Sequence, residues 1–243
     1  SGTLSAHRWP SGELVWRDPD AEVAGFTPYA GDLLLATAGG LERRGLTNEP
    51  RWRYPSDPAG TAPTVCGDAL CFVTRTGWLH GVSPDGAGRF RVELGEVTAQ
   101  PAAKGDVLLL PEREGDLHAF SLKTFDVLWR YDMEGPLWAS PLVWGSYVYS
   151  VSWAGVMRCL ALASGDDVWE TPLGGRVTAT PVLAGGTLYA VTEGGELYAL
   201  DARTGAKLFS EQLGTSPLQA SPLVLGRTVV VAALDGTVRA YRA

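Results

Sequence analysis

Between residues 178 and 211 apolar and polar positions fall into four short runs divided by glycine turns. Thr178-Ala-Thr-Pro-Val-Leu-Ala184 is extended and apolar, Gly185-Gly186 breaks it, and Thr187-Leu-Tyr-Ala-Val-Thr192 continues. A second turn, Glu193-Gly194-Gly195, leads into Glu196-Leu-Tyr-Ala-Leu-Asp201. There Leu197, Ala199 and Asp201 share one face, and Tyr198 and Leu200 the other. Arg203-Thr204-Gly205 turns into Lys207-Leu-Phe-Ser-Glu211. Alternation of this kind, bounded by glycine, predicts four strands joined as hairpins, here named A, B, C and D.

The same phrase recurs along the chain. An aromatic residue closes strand D at Trp16, Trp52, Phe90, Trp129, Trp169 and Phe209, at intervals of 36, 38, 39, 40 and 40 residues. Strand A carries Thr27-Pro28, Ala62-Pro63, Gln100-Pro101, Ser140-Pro141, Thr180-Pro181 and Ser221-Pro222. Proline has no N–H to give to a ladder, so A is expected at a free sheet edge, beside a central channel. Strand C opens at Gly77, Gly115, Gly155, Gly195 and Gly236, with Gly39 and Gly2 as looser copies. A unit of this length repeated head to tail buries its apolar faces only against its neighbours.

The expectation is an all-β fold: one six-bladed β-propeller over residues 1–243, of four-stranded antiparallel blades. The blades fall at about 23–54, 60–92, 97–131, 137–171, 177–211, and 217–242 joined by 12–17. The N- and C-terminal strands then close the ring in one blade. Residues 2–8 look like a second C strand beside 237–242, which leaves seven imperfect blades as the alternative. The six strand-D aromatics are expected to dock between adjacent sheets.

Composition narrows the function. The net charge is −7 and no basic cluster occurs, so nucleic acid is not an expected partner. No apolar run reaches 18 residues, so no membrane insertion by this chain is expected. The first residue, Ser1, already stands inside a repeat, which reads as a processed protein or a domain of a longer one. Cys66 and Cys71 flank the Gly67-Asp68 turn as a diagonal pair, either bridged or packed as thiols; Cys159 stands where other repeats have Ala119 or Ala199 and reads as a small core residue.

The run Ala199-Leu-Asp-Ala-x-Thr-Gly-x-x-x-Phe209, with Ser221-Pro222 and Asp235-Gly-Thr-Val-x-Ala240, resembles the pyrroloquinoline-quinone-like (PQQ-like) repeat. The copy at 39–54 departs from it, with Arg43 in place of the small residue and no Thr-Gly. The resemblance implies a propeller and several possible activities. The family includes quinoprotein dehydrogenases, BamB-type outer-membrane assembly lipoproteins and sensor domains of bacterial membrane serine/threonine kinases. For the dehydrogenases it implies PQQ, a calcium ion, a catalytic Asp and an adjacent cysteine pair. The channel-side pairs here (Phe26-Thr27, Thr61-Ala62, Ala99-Gln100, Ala139-Ser140, Ala179-Thr180, Ala220-Ser221) hold no carboxylate, and no Cys-Cys occurs. No cofactor, no metal and no catalysis are therefore expected. His7, His80 and His118 are single, and the last two share a repeat position.

What remains is binding. The D–A connections and B–C loops should open on one face, at the channel mouth. Trp78, Trp138 and Trp153 map there, with Arg75, Glu112, Arg113 and Glu114 in the same loops. Tryptophan with arginine is the composition of a protein-binding hot spot, although each ring also suits a blade-end cap. Trp144 maps to the opposite face. The expected function is a scaffold for a protein partner, or a sensor for a small ligand such as PQQ, in the bacterial cell envelope, with a small PQQ-dependent oxidoreductase as the remaining alternative.

Overall fold

A computed structural model of the chain describes residues 3–19 and 21–242; Ser1 and Gly2, including the looser strand-C opening at Gly2, lie outside the described residues. Every regular element among the described residues is a strand, and no helix is long and apolar enough to cross a membrane. The chain divides into two compact units, Ser1–Asp106 and Val107–Ala243.

Each complete sheet has the order A-B-C-D, antiparallel throughout. In the first unit blade 1 is Val23–Tyr29, Asp32–Thr37, Gly40–Gly45 and Pro50–Pro55, and blade 2 is Thr64–Cys66, Ala69–Val73, Trp78–Val82 and Gly88–Glu93. In the second, blade 4 is Leu142–Trp144, Tyr147–Val151, Val156–Ala161 and Asp167–Pro172, and blade 5 is Val182–Ala184, Thr187–Val191, Glu196–Asp201 and Lys207–Gln212. Blade 3 begins with Ala102–Lys104 at the end of the first unit, and its strands Val107–Pro111, Asp116–Ser121 and Val127–Asp132 open the second. Blade 6 comprises Leu223–Leu225, Thr228–Ala232 and Val238–Arg242.

Two expectations change. Strand A is three residues long in most blades, because the proline before it withholds an N–H and the preceding stretch becomes part of the D–A connection. The strand expected at 12–17 forms within the first unit, in a hairpin. It lies at Leu14–Asp18 and pairs with Leu4–His7, Leu4 opposite Asp18 and Ala6 opposite Trp16. A turn closed by Gly12 N–H to Arg8 O at 2.8 Å joins the two, and closing so short a loop costs far less chain entropy than recruiting a partner two hundred residues away. Both C-like strands therefore exist, one in this hairpin and one in blade 6.

Strands B and C of blade 5 are buried on both faces, because blades 4 and 6 cover the sheet on either side. In blade 5, Leu188 and Ala190 pack toward Tyr149, Met157 and Cys159 of blade 4, while Tyr189 and Val191 pack toward Val229 and Val231 of blade 6. Leu34 and Ala36 of blade 1 meet Leu70 and Phe72 of blade 2 in the same way. Each buried Leu, Val, Met or Phe among them stabilises the stack by about 1.5–3 kcal/mol.

The strand-D aromatics lock one blade to the next. The indole N–H of Trp16 donates to Leu46 O at 2.6 Å, Trp52 to Pro84 O at 2.9 Å, Trp129 to Leu162 O at 2.8 Å and Trp169 to Ala202 O at 3.1 Å. Each acceptor lies in the C–D turn of the following blade. In blade 5 the turn is built by its own side chains: Asp201 Oδ1 accepts from the Arg203 and Thr204 N–H groups and from Thr204 Oγ1, at 3.0, 2.8 and 2.9 Å. Gly205 then turns with φ +72°, its Cα under the Trp169 ring, where a Cβ would fall 2.5 Å from the indole. Phe90 lies over Gly81 of its own blade. Phe209 meets Tyr241 at 6.4 Å and stays 44% exposed, since blade 6 has no D strand among the described residues and hence no C–D turn to cover it.

The residue opposite each ring is small, Gly81, Ala119, Cys159 or Ala199, except in blade 1. There Arg43 faces Trp52; its guanidinium bonds Asp32 at 2.7 Å and reaches Pro84 O, the carbonyl that Trp52 also uses. All three cysteines are free and buried. Cys66 and Cys71 form the expected diagonal, and burial together with the Cys71 thiol holds the Cys66 pKa far above the ordinary thiol value.

Candidate functional site

The B–C turn begins with a hydrogen bond across its base, as between Ser152 N–H and Val156 O at 3.1 Å. The glycine heading strand C is held with a positive φ, +84° at Gly155, because the D–A connection passes against it: a Cβ there would meet Gly175 O at 1.9 Å. The two loops are then stitched together through their backbones. Trp153 N–H donates to Pro136 O at 2.8 Å, Glu193 to Arg176 O at 2.8 Å and Leu234 to Pro217 O at 3.1 Å; in the first unit Arg75 donates to Pro58 O at 2.9 Å. The repeat thus brings B–C loops and D–A connections to one end of each blade, and Arg75, Arg113 and Trp153 occupy the same slot of it.

In the second unit these loops form a continuous rim. The Arg113 guanidinium stands over the Trp138 ring, 5.9 Å from its centroid, and Trp138 is 40% exposed. Trp153, half-buried, lies under Arg176 at 4.3 Å. Glu193 accepts from Thr178 at 3.4 Å and from Gln219 at 3.3 Å. Contacts between guanidinium and indole hold both side chains in one orientation while leaving the outer ring face open. Glu114 is exposed beside Arg113, whereas Glu112 turns inward, its carboxylate 3.2 Å from His118 Nδ1.

The first unit holds the other two expected residues, and they are separate. Trp78 lies under Arg91 of its own strand D at 3.9 Å, so it caps the flank of blade 2. Arg75 is exposed and lines a cleft of about 400 Å³ with Glu22, Val23, Ala24, Ala38, Pro58 and Ala59. Arg91 and Arg176 were not legible as partners: their pairing with tryptophan depends on how strand D and the D–A connection lie over the loop, which spacing along the chain does not encode.

The A-strand edges hold no acidic group. Their polar atoms bind neighbouring strands: Thr27 Oγ1 donates to Pro63 O at 2.6 Å, Thr64 Oγ1 to Pro101 O at 2.7 Å, and Gln100 Nε2 to Pro63 O at 3.0 Å. In the second unit Ser140 N–H donates to Thr180 Oγ1 at 3.0 Å. Calcium takes six or more oxygens, several of them carboxylate, and these hydroxyls and amides do not fit that requirement, nor do they offer cations to the carboxylates of a bound quinone.

Comparison with known proteins supplies the family. The family model for the outer membrane protein assembly factor BamB matches residues 75–170 and 153–243, more than half of the chain. The chain belongs to this family of PQQ-like repeat β-propellers. The crystal structure of BamB from Moraxella catarrhalis superposes with a TM-score of 0.78 at 21% identity, over all of this chain and 72% of that one. The computationally designed Ika8 protein gives 0.87 at 15% identity, over all of this chain and 78% of that one. The designed Ika4 protein gives 0.56 at 17% identity, over 61% of this chain and 91% of that one. At these identities the likeness is one of fold. No curated protein sequence matches the chain. The BamB-family assignment accords with the repeated four-stranded blade and its docking tryptophans.

Proposed function

We propose that this BamB-family chain is a non-catalytic propeller, without a bound cofactor, whose loop rim captures a protein partner in the bacterial cell envelope. The observation that carries the reading is the pair of arginine-covered tryptophans, Arg113–Trp138 and Arg176–Trp153, on adjoining loops of one unit. Preordered indole and guanidinium groups lose little side-chain entropy on binding and are enriched among residues that dominate interface energies. The family's name, an outer membrane protein assembly factor, favours a protein partner and an envelope location. The test compares capture of purified envelope proteins by the full chain and by its Trp138→Ala and Trp153→Ala variants. Trp144→Ala is the control, since Trp144 is as exposed (46%) but sits at the A–B turn, the other end of the blade. Both rim variants should weaken capture at least tenfold with unchanged folding. Equal loss with Trp144→Ala, or none with either rim variant, refutes the rim.

A second reading, a ligand-sensing domain of a membrane serine/threonine kinase, draws support from the Arg75 cleft, whose volume suits a small molecule. Its exposed arginine offers a cation to a carboxylated ligand such as PQQ. Saturable quenching of tryptophan fluorescence by PQQ, abolished in Arg75→Ala, would favour this reading; no saturation would dismiss it.

A further inference from the structure

The B–C turn of blade 3 departs from the repeat at its first position and combines there three side chains that no other blade brings together. In blades 2, 4 and 5 the turn opens with Thr74, Ser152 or Thr192, whose hydroxyl accepts from the N–H that starts strand C, at 3.1 Å from Trp78, 3.4 Å from Val156 and 3.2 Å from Glu196. Blade 3 replaces that capping hydroxyl with Glu112, places Asp116 at the start of strand C, and follows it two residues later, on the same face, with His118. Departures from a local rule inside an otherwise regular repeat are where function is expected.

The three side chains converge. His118 is 5% exposed. Its Nδ1 lies 3.2 Å from Glu112 Oε1, and its Nε2 lies 3.7 Å from Asp116 Oδ2 with no hydrogen-bond partner. Glu112 fixes the proton on Nδ1, so Nε2 turns a lone pair toward a carboxylate. A buried lone pair facing a partly exposed carboxylate is unfavourable without a positive species between them. Arg130, 3.6 Å from the same Asp116 oxygen, serves the carboxylate but leaves the imidazole nitrogen unserved.

We propose that His118 Nε2 and an Asp116 oxygen bind a divalent transition-metal cation of the zinc type, with Glu112 orienting the imidazole through Nδ1. A histidine that ligates a metal commonly donates its other ring N–H to a carboxylate, and Glu112 supplies that carboxylate. Nitrogen and oxygen ligands about 2.1 Å from a tetrahedral zinc lie about 3.4 Å apart, so the observed separation closes with a shift of a few tenths of an ångström. Water completes the coordination. Blade 2 provides a matched comparison. His80 occupies the same position and its Nε2 also has no partner, but Thr74 and Trp78 stand where blade 3 has its two carboxylates, and Nδ1 meets Tyr54 OH at 3.2 Å. The proposed site adjoins Arg113, yet it stands on its own observations whether or not the rim binds a protein.

The test is calorimetric titration of the chelator-treated full chain with zinc chloride, with the imidazole nitrogens followed by NMR. One saturable zinc per chain is expected, together with a shift of His118 Nε2. His118→Gln and Asp116→Asn should each weaken binding at least tenfold, and His80→Gln should leave it unchanged. Circular dichroism checks the fold of each variant; should His118→Gln fail to fold, Asp116→Asn decides. Absence of saturable binding, undiminished binding in the blade 3 variants, or a His118 ring protonated on both nitrogens at pH 7.5 and indifferent to zinc overturns the proposal.

Discussion

Replacing Gly205 by alanine tests the lock between blades directly. The residue has φ +72°, and an alanine Cβ there would lie 2.5 Å from the Trp169 ring and 2.8 Å from Thr171 Oγ1. Neither neighbour can yield easily. The indole is held by its bond to Ala202 O, and Thr171 Oγ1 donates to Gly205 O at 2.7 Å. Left-handed backbone at a non-glycine residue costs roughly 1–2 kcal/mol. The overpacking adds roughly 1–3 kcal/mol. Gly185 isolates the first contribution: it has φ +57° and nothing within 4 Å of the Cβ position. Gly205→Ala should therefore be less stable than Gly185→Ala by about 2 kcal/mol, or ~4–8 °C in unfolding midpoint for a chain of this size. Thermal and urea unfolding followed by tryptophan fluorescence measure both variants side by side. Equal midpoints would show that the ring does not clamp the turn, and the account of blade docking would fail.

The buried guanidinium of Arg158 bonds Glu134 at 2.9 Å and Glu170 at 3.0 Å, and both carboxylates are well exposed. Arg158→Met, which keeps the packing on Tyr131, should change stability by less than about 1 kcal/mol, whereas the double variant Glu134→Gln/Glu170→Gln strands the cation and should cost about 1–3 kcal/mol after solvent screening; the reverse ranking in urea unfolding would refute this. Alkaline pH should weaken the fold. Burial raises the Cys159 thiol from 9.0 to about 11, and burial with carboxylate hydrogen bonds raises the Tyr131 and Tyr198 hydroxyls from 10.0 to about 12. These groups stabilise the folded state while neutral in both states, below pH 9, and that contribution is lost as pH rises through the folded values. The urea midpoint should fall between about pH 9 and 12, less steeply in Tyr131→Phe and Tyr198→Phe; a flat profile would contradict the burial of these groups.

Some of this protein is determined by sequence alone, because it is local. The Asp201-Ala-x-Thr-Gly205 turn closes through bonds spanning two to four residues, and the aromatic that recurs after each C–D turn marks strand D. The glycine heading strand C and the proline before strand A likewise act through their own backbone geometry. Tertiary structure decided the rest. Periodicity marks a strand at 12–17, and the structure pairs it, as Leu14–Asp18, with Leu4–His7 across a tight turn. Trp78, Trp138 and Trp153 read alike as loop-face rings, yet each came under an arginine from a different element. Glu112 read as one of the binding-face loop residues and His118 as repeat register until strand C brought one against the other. Periodicity fixes what each repeat does within itself. Which loop side chains meet depends on the offset between stacked sheets, and that offset is set by interdigitation of side chains such as Tyr149 and Leu188 rather than by spacing along the chain.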